Sequence, residues 1–332
     1  MVALVVQQHY ATMASKIREY FSLLKDAGNE FLDDNATKLS ASLAYYTIFS
    51  IGPLLLVLIT LMGFFYKKAD VTVQVFNQMS QLVGKSGAEQ LRSILDNISK
   101  QSNTTLFGVI GVVILVFGAT GIFTEIQSSI NYIWSIKATP KRGWLKYITD
   151  RLLSFSLIIG MGFLLVVTLV ANVVVDALTN RLHNYLGDAY AVLLQGVNIL
   201  LLLAVVIFLF AVIYKVLPDA TISWKDSMIG ASFTGFLFLI GKFLISYYLG
   251  SSTNVNTYGA AASIIILLSW VYYTSLILYF GAEFTKVYAL KLGKGISVYK
   301  TAVYIAKREE KELNIKDIPS QKQQEQQQAK AS

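Results

Sequence analysis

Residues 39–66 read LSASLAYYTIFSIGPLLLVLITLMGFFY, and no charged side chain falls between Lys38 and Lys67. As a helix, Ala41 to Tyr66 is roughly 39 Å long, enough to cross a hydrocarbon core of about 30 Å with some tilt. Inside lipid each unpaired backbone group costs several kcal/mol, so the stretch has to be helical. Yet Gly52-Pro53 sits near its middle. Proline donates no hydrogen bond to the carbonyl of Phe49, and its ring pushes that turn open. Ser42, Tyr46, Ser50 and Pro53 follow at steps of four, four and three, which puts them on one face. A polar, kinked stripe at mid-membrane needs partners. It reads either as a packing kink bonded by Ser50 or as the wall of a hydrated cavity or a hinge.

Outward from that stretch the pattern repeats. The hydrophobic share of the chain is 55% and the charged share 14%, against about 25% charged in soluble domains. Further apolar spans are predicted at about 106–134, 152–175, 191–216, 227–249 and 258–288. The fold class is therefore an all-α membrane protein of six transmembrane helices, with amphipathic interfacial helices beside them.

An N-terminal arm, 1–37, precedes the first span. It is predicted as an amphipathic helix lying in the interface plane, with Met13, Ile17, Tyr20, Phe21 and Leu24 as its apolar stripe. Gly28-Asn29 reads as its stop, and Asp33, Asp34 and Asn35 as candidate caps for the first span. The first connection, 67–105, carries two short amphipathic stripes around Gly84-Lys85-Ser86-Gly87. In the second span Gly111, Gly118 and Gly121 share a face with Glu125. Small residues let helix backbones approach closely, so Glu125 should point at a neighbour. A basic loop, Ser135 to Arg151, leads to the third span. Asp176 to Tyr190 reads as an interfacial extension. Residues 291–332 are expected to form a basic, Gln-rich, disordered tail.

The net charge is +8. Its placement between spans and in the tail favours anionic lipids of the inner leaflet over nucleic acid as partner. Lys137, Lys141, Arg142, Lys146 and Arg151 crowd the short second connection, which with the basic tail places both termini in the cytoplasm. The first connection is the exception, extracytoplasmic despite five cations.

The chain has no cysteine, which excludes disulfides and thiolate chemistry. His9 and His183 are far apart and both read as surface residues, so paired-histidine and metal-dependent nuclease chemistry find no residues. No phosphate-binding loop, GxSxG or HExxH occurs. The chain is read as not an enzyme, with no catalytic, metal or cofactor-binding residue.

Charges within the spans are costly and usually paired or functional. Glu125 and Glu283 lie near the inner interface, with Arg151 as their natural partner. Each reads as a structural ion pair, or as a gate or proton-coupling carboxylate. Lys242, beyond the midplane, has Asp176 and Asn172 as candidate partners; it reads as snorkelling or as a substrate contact. Tyr272 and Tyr279 share the Glu283 face and read as core or as cavity lining. The candidate cavity or gating set is Tyr46, Ser50, Pro53, Glu125, Lys242, Tyr272, Tyr279 and Glu283.

A series of motifs carries a resemblance. It comprises Leu43-Ala44-Tyr45-Tyr46, Ser50-Ile51-Gly52-Pro53, Asn131-Tyr132-Ile133-Trp134 and Tyr214-Lys215-Val216-Leu217-Pro218-Asp219. Trp224, Gly230, Lys242, Tyr247, Tyr258-Gly259, Trp270, Tyr272-Tyr273 and Gly281-Ala282-Glu283 follow. In this order and spacing they resemble the YihY/BrkB family of bacterial membrane proteins, over about Lys38 to Tyr288. The resemblance implies a six-span inner-membrane protein, described in that family as a transporter or a serum-resistance factor, with an old ribonuclease label on some members.

Two functions compete. One is a transporter or permease of unknown solute with a polar cavity between helices. The other is a non-catalytic envelope scaffold or assembly factor using the interfacial helices and tail. The small-residue faces serve a monomer's packing or a homo-oligomer equally.

Overall fold

A computed structural model describes residues 2–62, isolated positions between 73 and 93, residues 106–139, 143–161, 163–164, 189–251 and 260–306. These residues form long helices and two small sheets. The helices are α1 (Val2–Asp33), α2 (Ala36–Met62), α3 (Leu106–Ile133), α4 (143–161), α5 (Ala189–Val216), α6 (Trp224–Ser251) and α7 (Ala260–Lys291). Among the described residues, Ile199–Val216 and Trp224–Ile245 are long and apolar enough to cross a membrane.

The first helix is a correction to the expected arm. It runs through Gly28-Asn29 and ends four residues later, because Leu23 and Ala27 are buried against Phe284, Val287 and Tyr288 of α7. Of the expected apolar stripe, Tyr20 and Phe21 are exposed. The break falls at Asn35, whose φ of 51° turns the chain back. Its carbonyl accepts from the amides of Lys38 and Leu39, which starts α2.

Helix α2 passes through Pro53 without ending. It packs on α3 through the glycines expected to be buried. A methyl on Gly118 would stand 2.9 Å from Pro53 Cγ, and one on Gly121 would stand 3.0 Å from Ser50 Oγ. Helices α5, α6 and α7 pack by the same device. A methyl on Gly235 would stand 2.7 Å from Ile207 of α5, and Gly230 and Gly281 leave room only for Thr285 and Thr234. Between them the Tyr214 hydroxyl meets Thr234 Oγ1 at 3.0 Å and donates to the Leu278 carbonyl at 2.8 Å. The core is centred on Ile130, Ile133, Ile158, Tyr214, Leu217 and Tyr279, all fully buried.

Two differences from the sequence reading lie at the ends of these helices. Helix α4 is described from Gly143, well before the expected start of the third span at 152, so most of the basic loop is helical. The region after α7 is ordered into β3 (Ile296–Val298) and β4 (Ala302–Tyr304) rather than disordered from residue 291. These strands pair antiparallel with β2 (Ala220–Ile222), between α5 and α6, and with β1 (Ile136–Ala138), after α3. Ile296 and Ala302 are buried there, which is why this part of the tail is held. Trp134 Nε1 also donates to the Ala282 carbonyl at 3.1 Å, tying the end of α3 to α7. The α1–α2 turn and the ends of α3, α5 and α7 thus meet at one end of the molecule.

The expected helices of the first connection and the Asp176–Tyr190 extension lie almost wholly outside the described residues, as do His183, Asn172, Asp176 and the Gln-rich end.

Candidate functional site

Two polar clusters sit at that shared end. The first is built on α7, where Tyr279, Glu283 and Lys286 follow at helical spacing on one buried face. The Lys286 ammonium donates to Glu30 Oε2 at 2.6 Å, to the Ile133 carbonyl at 2.9 Å and to Glu283 Oε2 at 3.0 Å. Asp34 Oδ2 lies 3.7 Å away. One lysine is therefore faced by three carboxylates, from α1, from the α1–α2 turn and from its own helix. Carboxylate oxygens of Glu30, Asp34 and Glu283 lie within 4.8 Å of one another, a spacing that could hold a cation. The ammonium already stands among them. One turn back, the buried Tyr279 hydroxyl has Ser129 and Glu125 among its polar neighbours.

The second cluster joins elements far apart in sequence. Asn131, near the end of α3, clasps Asp219 from both sides. Its Nδ2 donates to Asp219 Oδ2 at 2.8 Å, and its Oδ1 accepts from the Asp219 amide at 2.8 Å. Lys146 of α4 donates to the other oxygen of Asp219 and, at 2.7 Å, to Asp150. Burial alone would lower the Lys146 pKa, but the hydrogen bonds to Asp150 and Asp219 outweigh it and raise it above the usual lysine value. Gln127 reaches Asp150 at 3.4 Å.

This second cluster divides two cavities. One, of about 390 Å³, is bounded by Thr124, Asn131 and Tyr132. The other, of about 1010 Å³, is bounded by Lys215, Trp224, Tyr299 and Lys300. Gln127, Lys146, Asp150 and Asp219 line both. The Lys215 ammonium stands 5.9 Å from the Trp224 ring centre.

The residues singled out from sequence are only partly brought together. Glu125 accepts from Ser42 Oγ of α2 at 2.6 Å. Ser50 and Pro53 are packed on α3. Tyr46 is 46% exposed and stands edge-on to Tyr45, 5.9 Å between ring centres, so its ring has left that interface. Tyr279 and Glu283 belong to the first cluster. Lys242 and Tyr272 are half-buried, and neither lines the two cavities described here. Among the described residues Lys242 has no hydrogen bond or ion pair, and its candidate partners Asp176 and Asn172 are outside them.

Arg151 as the partner of Glu125 or Glu283 is a correction. It donates to Thr120 and the Phe117 carbonyl, and its guanidinium lies over the rings of Phe117 and Tyr147 at 5.0 and 5.3 Å. The early start of α4 carries it two turns into that helix, to the level of Phe117 rather than Glu125. Sequence reading missed Lys286, Glu30 and Lys146. It also missed the joining of Asn131 to Asp219, although both stood in the motifs already quoted.

The model of the virulence factor BrkB family matches residues 27–301. The chain belongs to this family. A UPF0761 membrane protein of Tolumonas auensis is 30% identical over 261 residues, covering 76% of this chain and 80% of its own. A UPF0761 membrane protein of Alcanivorax borkumensis is 26% identical over 280 residues, 82% of this chain and 61% of that longer one. The ribonuclease-like protein YfkH of Bacillus subtilis is 25% identical over 269 residues, 79% and 93% of the two chains. No solved structure matches. The chain is thus a mostly helical membrane protein of the BrkB family. The match takes in both clusters and stops at the last tight turn before β4.

Proposed function

We propose that the chain is a six-span carrier of the bacterial inner membrane with both termini in the cytoplasm, and that the paired cavities are its cytoplasmic vestibule. The observation that carries this reading is the wall between the cavities. Gln127, Lys146, Asp150 and Asp219 line both spaces, and a single ion pair, Lys146–Asp219, crosses between elements to close it. Buried ion pairs rarely repay their desolvation as stability, whereas a pair that can open is a usual device of alternating access. The crowding of lysines at this end supports its cytoplasmic placement. The α1–α2 turn and the ends of α3, α5 and α7 gather there, as an even number of crossings requires.

The substrate class is tested directly. Pure protein is reconstituted in liposomes holding a pH-sensitive dye and challenged with separate panels of carboxylates, phosphates, sugars and amines. The expected outcome is solute-dependent flux above protein-free liposomes for one class, reduced at least tenfold in Lys146→Gln. No flux for any class, with Lys146→Gln cells keeping the wild-type phenotype, would favour the envelope scaffold instead.

A further inference from the structure

The first cluster has a charge imbalance that its geometry resolves in one way. From α1 comes Glu30, from the α1–α2 turn Asp34, and from α7 Glu283 and Lys286. From α3 come the Ile133 carbonyl and, two turns earlier on that helix and near Tyr279, Glu125. Three carboxylates therefore face one ammonium. The three N–H groups of Lys286 are all engaged, by Glu30, Glu283 Oε2 and the Ile133 carbonyl. Glu283 is fully buried, and its second oxygen, Oε1, has no hydrogen-bond partner. Asp34 is 3% exposed beside it. Two like charges at this separation, shielded from water, cannot both persist. A metal ion would have to evict the Lys286 ammonium to enter. A proton needs only the unused oxygen.

We propose that Glu283 carries a proton on Oε1 and donates it to the Asp34 carboxylate, so that the cluster is a proton-binding site fastening the α1–α2 turn to α7. No bond other than O–H forms or breaks, and the proton comes from and returns to solvent. Loss of the proton leaves two net negative charges in the site. The turn is then pushed off α7, and α1 is freed with it. This rests on side-chain geometry and is independent of the carrier reading.

The test is infrared spectroscopy of the whole protein in nanodiscs, following the carbonyl stretch of a protonated carboxyl with deuterium exchange as its marker. Wild type is expected to show such a band at neutral pH, and to lose it on alkaline titration. Glu283→Gln lacks the band yet folds, because its amide has the shape and neutrality of the protonated acid. Asp34→Asn shifts or abolishes the band, and Asp26→Asn, outside the buried cluster at the Lys291 contact, leaves it alone. The melting temperature of wild type falls as pH rises from the ordinary carboxyl range and levels off once the band has titrated away, while that of Glu283→Gln stays level over the same range.

A wild type with no exchangeable carboxyl band overturns the proposal. So does a band that survives Glu283→Gln, a band indifferent to Asp34→Asn, or a Glu283→Gln protein that does not fold. Should Asp34→Asn fail to fold, the wild-type titration and Glu283→Gln decide. The measurement needs no transported solute, so a failed flux assay and a failed proton site are separate results.

Discussion

At Gly281 and Gly230 a single hydrogen atom is all the space allows. A methyl at either would overlap a threonine of the facing helix, Thr234 or Thr285. Gly281→Ala and Gly230→Ala are each expected to destabilise by about 1–3 kcal/mol. Gly160→Ala, whose Cβ would meet nothing within 4 Å, should fall within about 1 kcal/mol of wild type. Thermal unfolding in detergent, followed by tryptophan fluorescence, ranks the three. Lys146 makes the opposite kind of prediction, one about charge. Lys146→Met leaves the Asp219 carboxylate, in a residue 7% exposed, with Asn131 as its remaining side-chain partner among the described residues. The expected loss is about 2–3 kcal/mol, below the range for a fully buried pair because Lys146 is partly exposed and screened. Adding Asp219→Asn should recover most of it. Because the folded Lys146 pKa lies above the unfolded value, its contribution is whole below about pH 10.4 and lost as pH rises through the folded value. The gap between wild type and Lys146→Met should therefore be flat around neutral pH and close in strong alkali. Gly118, Gly121 and Glu125 were legible in the sequence, because a small face beside an acid admits few meanings in lipid. Lys286 was not, since a lysine near a helix end looks the same whether it snorkels or is buried.

At the scale of elements, the docking of α1 on α7 is the feature least visible beforehand. Its sequence offers two overlapping stripes, and only packing against Phe284 and Tyr288 selects the one holding Leu23 and Ala27. Leu23, 1% exposed, contributes most at the contact, and Leu23→Ala should weaken docking by about 2–4 kcal/mol. Faster proteolytic clipping near residue 30, with the main unfolding transition unmoved, is the expected record of that change. The Asp26–Lys291 contact at the same joint behaves differently. The hydrogen bond from Lys291 holds the Asp26 carboxyl below its ordinary value. Its effect is therefore present above about pH 3.9 and fades as pH falls through the folded value. Both groups are exposed, so Asp26→Asn should leave clipping at neutral pH unchanged, whereas Leu23→Ala should not. The short strands were illegible for a plainer reason. Three residues cannot display an alternation, and β1 finds β4 across more than 160 positions of chain.

For the molecule as a whole, sequence and structure agree on where the helices lie and differ on how their ends are joined. The starts and stops of α2, α3, α5, α6 and α7 fall within a few residues of the expected spans. The reason is that long runs without charge or turn residues offer a helix few places to stop. Placement of the joined ends is open to a direct measurement, because the chain has no cysteine of its own. Lys137→Cys, in β1, and Lys300→Cys, in the turn between β3 and β4, should react with a membrane-impermeant maleimide only after the inner face is opened. Labelling of either one in intact spheroplasts would refute the cytoplasmic assignment.

The strands have a further consequence, for the order in which the protein is made. β1 and β2 are synthesised as half-sheets with nothing to pair with, and their partners emerge only after α7. Helices can enter the bilayer one after another and Asn131 can clasp Asp219 early, yet the sheets that close over the ends of α3 and α5 are completed only once Tyr304 has left the ribosome. Assembly of this protein is thus latched from behind, by the segment that is translated after every helix it secures.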